Sequence, residues 1–502
     1  MVELKNVSFR YGAENAECMY ASSLKNIDLT VKTGECVLLT GPSGCGKTTI
    51  LRLINGLIPH FYSGALSGDI FIDGGSVKDR ELYDTALIIG TVFQNPRTQF
   101  YNVDTTGELA FGCENRGLPE QEIYTRIDRT VAHFRMASLM DRNIFRLSDG
   151  EKQKIACASV NVSEPKIILL DEPSANLDYT ATLMLRELIL RWKAEGKTII
   201  AAEHRIAYLW DIIDRAVVLR DGEIVGEFTG SGKEELTQNQ LTQMGLRTTV
   251  MESPAEMQMD SFREGDRPIT LKNFYFAYRG EKKNIVDIPI LQIAAGQITA
   301  IVGANGAGKT SFLNCLCGLE KRCKGTLEYE GKLYDSKSRK KLCFMVMQDT
   351  GNQLFTESVF EEVRLSMERL GLSHEEQEKK TNIILKELGL EEFKDSHPMS
   401  LSGGQKQRVA MASALASDKR FLIYDEPTSG LDYIHMIEVA DAIKRMKAAG
   451  RTQFVITHDS ELVSRCCDYI LFLECGEVKC IGNINDMSIQ ERLQEFWNQV
   501  YM

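Results

Sequence analysis

Residues 3–11, ELKNVSFRY, alternate apolar and polar positions, and residues 269–278, ITLKNFYFAY, do so again far along the chain. A period of two sends one face into a core and the other toward water, so each run predicts a strand of an antiparallel layer. Behind each run, apolar strands such as ECVLLT (35–40) and QITAIVG (297–303) alternate with amphipathic helical segments. That is the pattern of a parallel sheet covered by helices, and the expected fold class is α/β. Near the end, Ile489, Leu493, Phe496, Trp497 and Val500 fall at helical spacing and make one apolar stripe, expected to pack on its own domain.

The chain is a sequence written twice. GPSGCGKTT (41–49) recurs as GANGAGKTS (303–311), 262 positions later, and IILLDEPSANLD recurs as FLIYDEPTSGLD, with Asp178 and Asp432 254 apart. Gln94 and Gln348, Ser148 and Ser402, and His204 and His458 keep the same 254-residue offset. The two halves therefore run in register from the glutamine onward, and a net eight residues separate the two offsets before it. The seam, MESPAEMQMDSFREGDRP (251–268), is polar and lacks a strand or helix period, so it reads as a linker. Expected boundaries are a first domain over 1–245, a linker over 246–267 and a second domain over 268–502.

Composition narrows the class. With 502 residues there is too much chain for one ordinary core, and 43% hydrophobic with 26% charged residues is globular. A net charge of −11 disfavours a dedicated nucleic-acid binder, which needs a surplus of Lys and Arg on some face. No apolar run reaches the ~18–20 residues that cross a bilayer, and the opening MVELKNVSFRYG has no apolar signal core. The expectation is a chain that stays in the cytosol. Thirteen scattered cysteines without a CxxC pair predict reduced thiols rather than disulfides or a zinc site.

GxxxxGK[ST] stands at Gly41, Gly46, Lys47 and Thr48, and again at Gly303, Gly308, Lys309 and Thr310, each time between a strand and a helix. Glycines let backbone N–H groups wrap phosphate oxygens, the lysine reaches the outer phosphates and the threonine hydroxyl ligates magnesium. Downstream strands end in Asp171–Glu172 and Asp425–Glu426. The first carboxylate of each pair is suited to holding magnesium and the second to polarising an attacking water.

With LSGGQ at 401–405, these motifs make each half resemble a nucleotide-binding domain of an ABC ATPase: two tandem P-loop domains, each with a parallel-sheet core, an antiparallel layer and a helical subdomain. The resemblance implies that ATP and Mg2+ bind through Ser43, Gly44 and Thr49 beside Lys47, and Asn305, Gly306 and Ser311 beside Lys309. It also implies adenine stacking on Tyr11 and Tyr278, magnesium and partner sensing by Gln94 and Gln348, and γ-phosphate contacts from His204 and His458. Asp178 and Asp432 would communicate across a head-to-tail pair of domains, in which each phosphate loop faces the other domain's signature phrase. Those phrases are Ser402–Gly403–Gly404–Gln405 and, altered, Ser148–Asp149–Gly150–Glu151. Asp149 and Glu151 add negative charge where a phosphate is to be met, unless Lys152 and Lys154 pair with them. The Lys47 site is therefore expected to hydrolyse faster than the Lys309 site.

FQNPRTQFYNVDTTGELAFGCEN and MQDTGNQLFTESVFEEVRLS are further similar to the ATPase subunits of energy-coupling factor importers of vitamins and transition metals. That resemblance implies a transmembrane coupling protein and a membrane substrate-binding protein as partners, peripheral attachment to the cytoplasmic face of the membrane, and no nucleic acid. The cargo is not written in this chain. The alternative is a tandem ABC ATPase acting on the ribosome, but the long, strongly charged helical linker of such proteins is missing and the net charge has the wrong sign for RNA.

Overall fold

A computed structural model describes residues 1–12, 23–175, 177–248, 268–281 and 283–498. The chain divides into two compact units, Met1–Val250 and Met251–Met502. Most of the expected linker, and Val500 of the terminal stripe, lie outside the described residues.

In the first unit the alternating opening run is the strand Val2–Tyr11, paired antiparallel with Leu24–Val31 on one side and Gly64–Ile72 on the other. A six-stranded sheet follows, in the order Glu223–Thr229, Arg215–Arg220, Cys36–Thr40, Thr198–Ala202, Ile167–Asp171, Ile89–Val92. All of its pairings are parallel except the first. The strand Cys36–Thr40 is buried at every position because the sheet is covered on both faces. Val37 and Leu39 join Leu4, Phe9 and Leu29 in the core beneath the antiparallel sheet. Cys36 and Leu38 face the opposite core, with Ile155, Ile168 and Trp192. Trp192 is fully buried, and its indole N–H is satisfied by Asn161 Oδ1 at 2.8 Å. The helices Thr105–Glu114, Glu120–His133 and Asp149–Val162 form a helical subdomain on that face through Leu109, Ile123, Ile127 and Ile155.

The second unit repeats the plan. Ile269–Phe276 pairs with Val286–Ile293 and Lys324–Tyr329, and a six-stranded sheet runs Cys343–Val346, Phe421–Asp425, Thr452–Ile456, Ile298–Val302, Tyr469–Glu474, Glu477–Asn483. The α/β class and the two tandem P-loop domains are as expected. The terminal stripe forms the helix Met487–Asn498, with Ile489, Leu493 and Trp497 buried in the core of their own unit and Phe496 packed against it. The described cysteines are free thiols, ten of them buried.

Candidate functional site

Each phosphate loop joins the end of a buried strand to a helix N-terminus, Lys47–Ile54 in the first unit and Lys309–Leu316 in the second. Gly41 lies at φ +146°, where a Cβ would sit 2.1 Å from the Leu219 carbonyl; at Gly303 it would sit 2.2 Å from that of Leu473. No other residue fits either turn. Gly46 and Gly308 start the helices at φ 107° and 96°. By contrast, a Cβ on Gly44 or Gly306 would meet nothing within 4 Å, so these glycines form the open side of the cradle.

Lys47 is 4% exposed. Its ammonium donates to the carbonyls of Gly41 (3.0 Å) and Pro42 (3.2 Å) and sits 3.2 Å from His204 Nε2. Lys309 repeats this with Gly303 (2.6 Å), Ala304 (3.1 Å) and His458 Nε2 (3.2 Å). Each lysine is thus folded back over its own loop. Glu172 stands 3.1 Å from His204 Nε2 and accepts from Gln94 Nε2 at 2.7 Å; Glu426 stands 3.4 Å from His458 Nε2. Both glutamates lie in the left-handed region, φ 43° and 48°, pinned by N–H bonds to Ala202 and Ile456 across the sheet.

The other residues singled out by sequence fall into two groups. Thr48 donates to Asp171 Oδ1 at 2.8 Å and Thr310 to Asp425 at 3.2 Å. The Tyr11 hydroxyl lies 3.4 Å from Thr49 and that of Tyr278 lies 3.0 Å from Ser311, so both rings flank their own phosphate loops. Asp178 and Asp432, by contrast, cap the helices Tyr179–Ala194 and Tyr433–Ala448 through the N–H groups of Ala181 and His435. Asp432 also pairs with the His435 ring at 2.8 Å and draws its pKa upward. Ser148 and Ser402 are N-caps of Asp149–Val162 and Gly403–Ala416, each in a capping box, with Gly150, Gly403, Gly404 and Gln405 in the first turn. No hydrogen bond or ion pair among the described residues joins either serine to the phosphate loop of its own half.

The two capping boxes differ at one atom. Glu151 Oε2 accepts both the Ser148 N–H and the Ser148 hydroxyl, at 2.8 Å each. Gln405 Oε1 accepts the Ser402 N–H at 2.9 Å. Asp149 is held by Arg97 (3.3 Å) and Lys152 (3.2 Å), so its charge is largely offset. Of the two added carboxylates, Glu151 is the one that reaches the serine.

The ABC transporter family matches the chain at residues 24–175 and 287–429, the two halves in turn. The chain belongs to that family. It is 42% identical over 499 residues to a protein of Treponema denticola named as a candidate ABC transporter ATP-binding protein, spanning 98% of this chain and 99% of that one. A Methanosarcina mazei protein of the same name is 32% identical, over 96% of this chain and 89% of its own length. Among solved structures, the archaeal ribosome recycling factor aABCE1, in complex with the ribosomal stalk protein aP1, superposes with a TM-score of 0.65. That match covers 98% of this chain and 92% of the other at 20% identity, a likeness of fold.

This ABC ATPase carries site features that the motifs alone did not disclose. Arg52 donates to the Tyr11 hydroxyl (3.1 Å) and lies 4.3 Å from the centre of the Tyr62 ring, which stands edge-on to the Tyr11 ring with 6.2 Å between their centres. Glu203, fully buried, accepts from the Ser174 and His204 N–H groups and the Tyr208 hydroxyl, and so fixes the loop that carries His204. Thr457 stands at its place in the second half, and that difference between the repeats was the readable signal.

The residues fit a divalent cation. Burial pushes the Asp171 carboxyl up to about 6 and raises that of Asp425, despite the threonine hydroxyls that favour the ionised form. Thr48 with Asp171, and Thr310 with Asp425, would hold Mg2+, with Gln94 and Gln348 at the edge. The ion would offset phosphate charge. Above pH 6 the ionised Asp171 costs the ligand-free domain stability, and the cost fades as the pH falls toward the unfolded value near 4. Asp171→Asn is therefore expected to stabilise the ligand-free first domain by up to about 3 kcal/mol at pH 8, with the gain shrinking below pH 6. Chemical denaturation at pH 8 and pH 5 checks this; an equal effect at both would contradict it.

Proposed function

We propose that this ABC ATPase energises a membrane importer of the energy-coupling factor type, carrying a vitamin or a transition metal. Its two halves would bind two ATP molecules head to tail, each phosphate loop facing the other half's signature phrase. Glu172 and Glu426 would each take a proton from an attacking water, His204 and His458 would orient the γ-phosphate, and Lys47 and Lys309 would offset its charge. Tyr11 and Tyr278 would stack on adenine. The partners would be a transmembrane coupling protein and a membrane substrate-binding protein, holding the chain peripherally at the cytoplasmic face of the membrane.

The observation that carries the partner reading is a repeated exposed apolar surface that includes the segments following Gln94 and Gln348 in the chain. Tyr101 is 76% and Phe145 70% exposed, and at the same positions of the second half Phe355 is 76% and Met399 51% exposed. The Ile144 N–H donates to the Val103 carbonyl at 2.9 Å, which sets Phe145 beside the Tyr101 segment. Large apolar side chains left in water at matched places in both halves suit a docked partner helix. No helix among the described residues is long and apolar enough to cross a membrane, so an anchor would come from a partner.

The test is purification of the tagged chain from detergent-extracted membranes. Multi-span membrane proteins are expected to co-purify, and to be lost when Tyr101→Glu and Phe145→Glu are combined with Phe355→Glu and Met399→Glu. Co-purification of ribosomal RNA and ribosomal proteins instead would overturn the reading in favour of a ribosome-acting tandem ATPase.

A further inference from the structure

In the second unit the signature helix Gly403–Ala416 starts against the helix Tyr433–Ala448, and His435 makes the contact. A Cβ on Gly404 would lie 2.9 Å from His435 Cδ2 and 3.0 Å from Cγ, so the imidazole fills the space beside that glycine. Gly404 is buried there, whereas Ser402 and Gly403, before it in the phrase, are exposed. His435 Nδ1 stands 2.8 Å from Asp432 Oδ1, the same oxygen that accepts the His435 backbone N–H at 2.8 Å. An ionised carboxylate can only accept, so Nδ1 carries a proton. We propose that His435 is a positioning residue for the ATP site at Lys47: its ring, charged and held by Asp432, fixes the second half's signature phrase and that aspartate as one unit. This rests on the head-to-tail pairing proposed above, in which Ser402–Gln405 meets the nucleotide on Lys47.

The Asp432 side chain is 1% exposed and the His435 ring 25%. An imidazolium beside the buried carboxylate offsets the cost of burying it. The hydrogen bond to Asp432 holds the imidazole above its ordinary value of about 6.5, against the partial burial of the ring that would lower it. Glu438, one turn further along the same helix, acts in the same direction as Asp432. Arg408, on the signature helix, opposes them, but it stands 3.2 Å from Glu438. His435 is therefore charged below the ordinary value and loses that charge as the pH rises through the raised one. The neutral ring can keep its Nδ1–H toward Asp432, but a charge-assisted bond is roughly twice as strong as a neutral one.

The first half is built differently at these positions. Ala181 stands at the place of His435, and its methyl lies 2.9 Å from where a Cβ on Gly150 would be. It gives Asp178 only a backbone N–H, at 2.9 Å. Met184 stands for Glu438 and Lys154 for Arg408, which leaves no carboxylate to repeat the Arg408–Glu438 pair. A titratable tie between signature helix and aspartate thus belongs to the second half's phrase, the one paired with Lys47.

Steady-state ATP turnover of the full chain is read on a Glu426→Gln background, where the Lys47 site carries the turnover. The parent rate is expected to exceed that of His435→Ala, the first half's own residue, by about tenfold near pH 6 and by about twofold near pH 9. That is the loss of a charged bond in the first case and of a neutral one in the second. His435→Asn keeps a neutral donor where Nδ1 stood, and is expected to run about fivefold below the parent near pH 6 and to match it near pH 9. Ratios taken at each pH cancel the titrations that all variants share, and either variant decides if the other fails to fold. A ratio that does not change with pH overturns the role of the charged ring and leaves the pairing standing. A pH-dependent ratio found on the Glu172→Gln background instead overturns the pairing, and with it the assignment of His435 to the Lys47 site.

Discussion

Glu172→Gln is expected to lower steady-state ATP turnover by about 10²-fold in the presence of membrane partners, and Glu426→Gln by no more than about fivefold. The expectation rests on the proposed head-to-tail pairing, in which Lys47 and Glu172 meet Ser402–Gln405 whereas Lys309 and Glu426 meet Ser148–Glu151. A signature phrase serves a γ-phosphate through backbone N–H groups and a serine hydroxyl. Asp149 first reads as the damaging change, but Arg97 and Lys152 hold it at 3.3 and 3.2 Å. Glu151 is the better cause: it accepts the Ser148 hydroxyl's hydrogen bond at 2.8 Å, and in the proposed pairing it would place a carboxylate beside the serine that is to meet a phosphate oxygen. Glu151→Gln on the Glu172→Gln background is therefore expected to restore part of the lost rate, and Asp149→Gly to change little. Equal losses for Glu172→Gln and Glu426→Gln would sink the asymmetry; a silent Glu151→Gln would move its cause elsewhere.

Lys47→Met is expected to weaken ATP binding at the first phosphate loop by about tenfold to a hundredfold, as loss of a charge-assisted contact to phosphate predicts, while leaving the fold intact. The ammonium is buried, and it is satisfied by the two loop carbonyls and His204. Methionine keeps the apolar stem and removes a buried charge, so stability should change little. Fluorescent-nucleotide titration beside a thermal melt separates the two effects. Unchanged nucleotide affinity, or a collapse of the melt, would contradict the role given to Lys47.

The duplication, the α/β class and the two phosphate loops were legible in sequence because each rests on local rules. A glycine needed for a turn, an alternating strand and a lysine after GxxxxG carry their meaning within a few residues of themselves. The repeat then checked each motif against its copy. The contacts across the sheet were another matter. Gln94 with Glu172, Lys47 with His204 and Arg97 with Asp149 lie 78, 157 and 52 residues apart, and nothing in the local pattern pairs them. The spacing offered Lys152 as a partner for Asp149, and it is one, but it could not tell that Arg97 would join it while Glu151 turned back on Ser148, since a carboxylate's effect depends on its neighbours in space. By itself the sequence determined which groups the chain brings to a nucleotide and that it brings them twice. Only the tertiary structure decided which are buried, which are paired, and where the two copies stop being equivalent, because burial and pairing are properties of packed elements rather than of the chain's order.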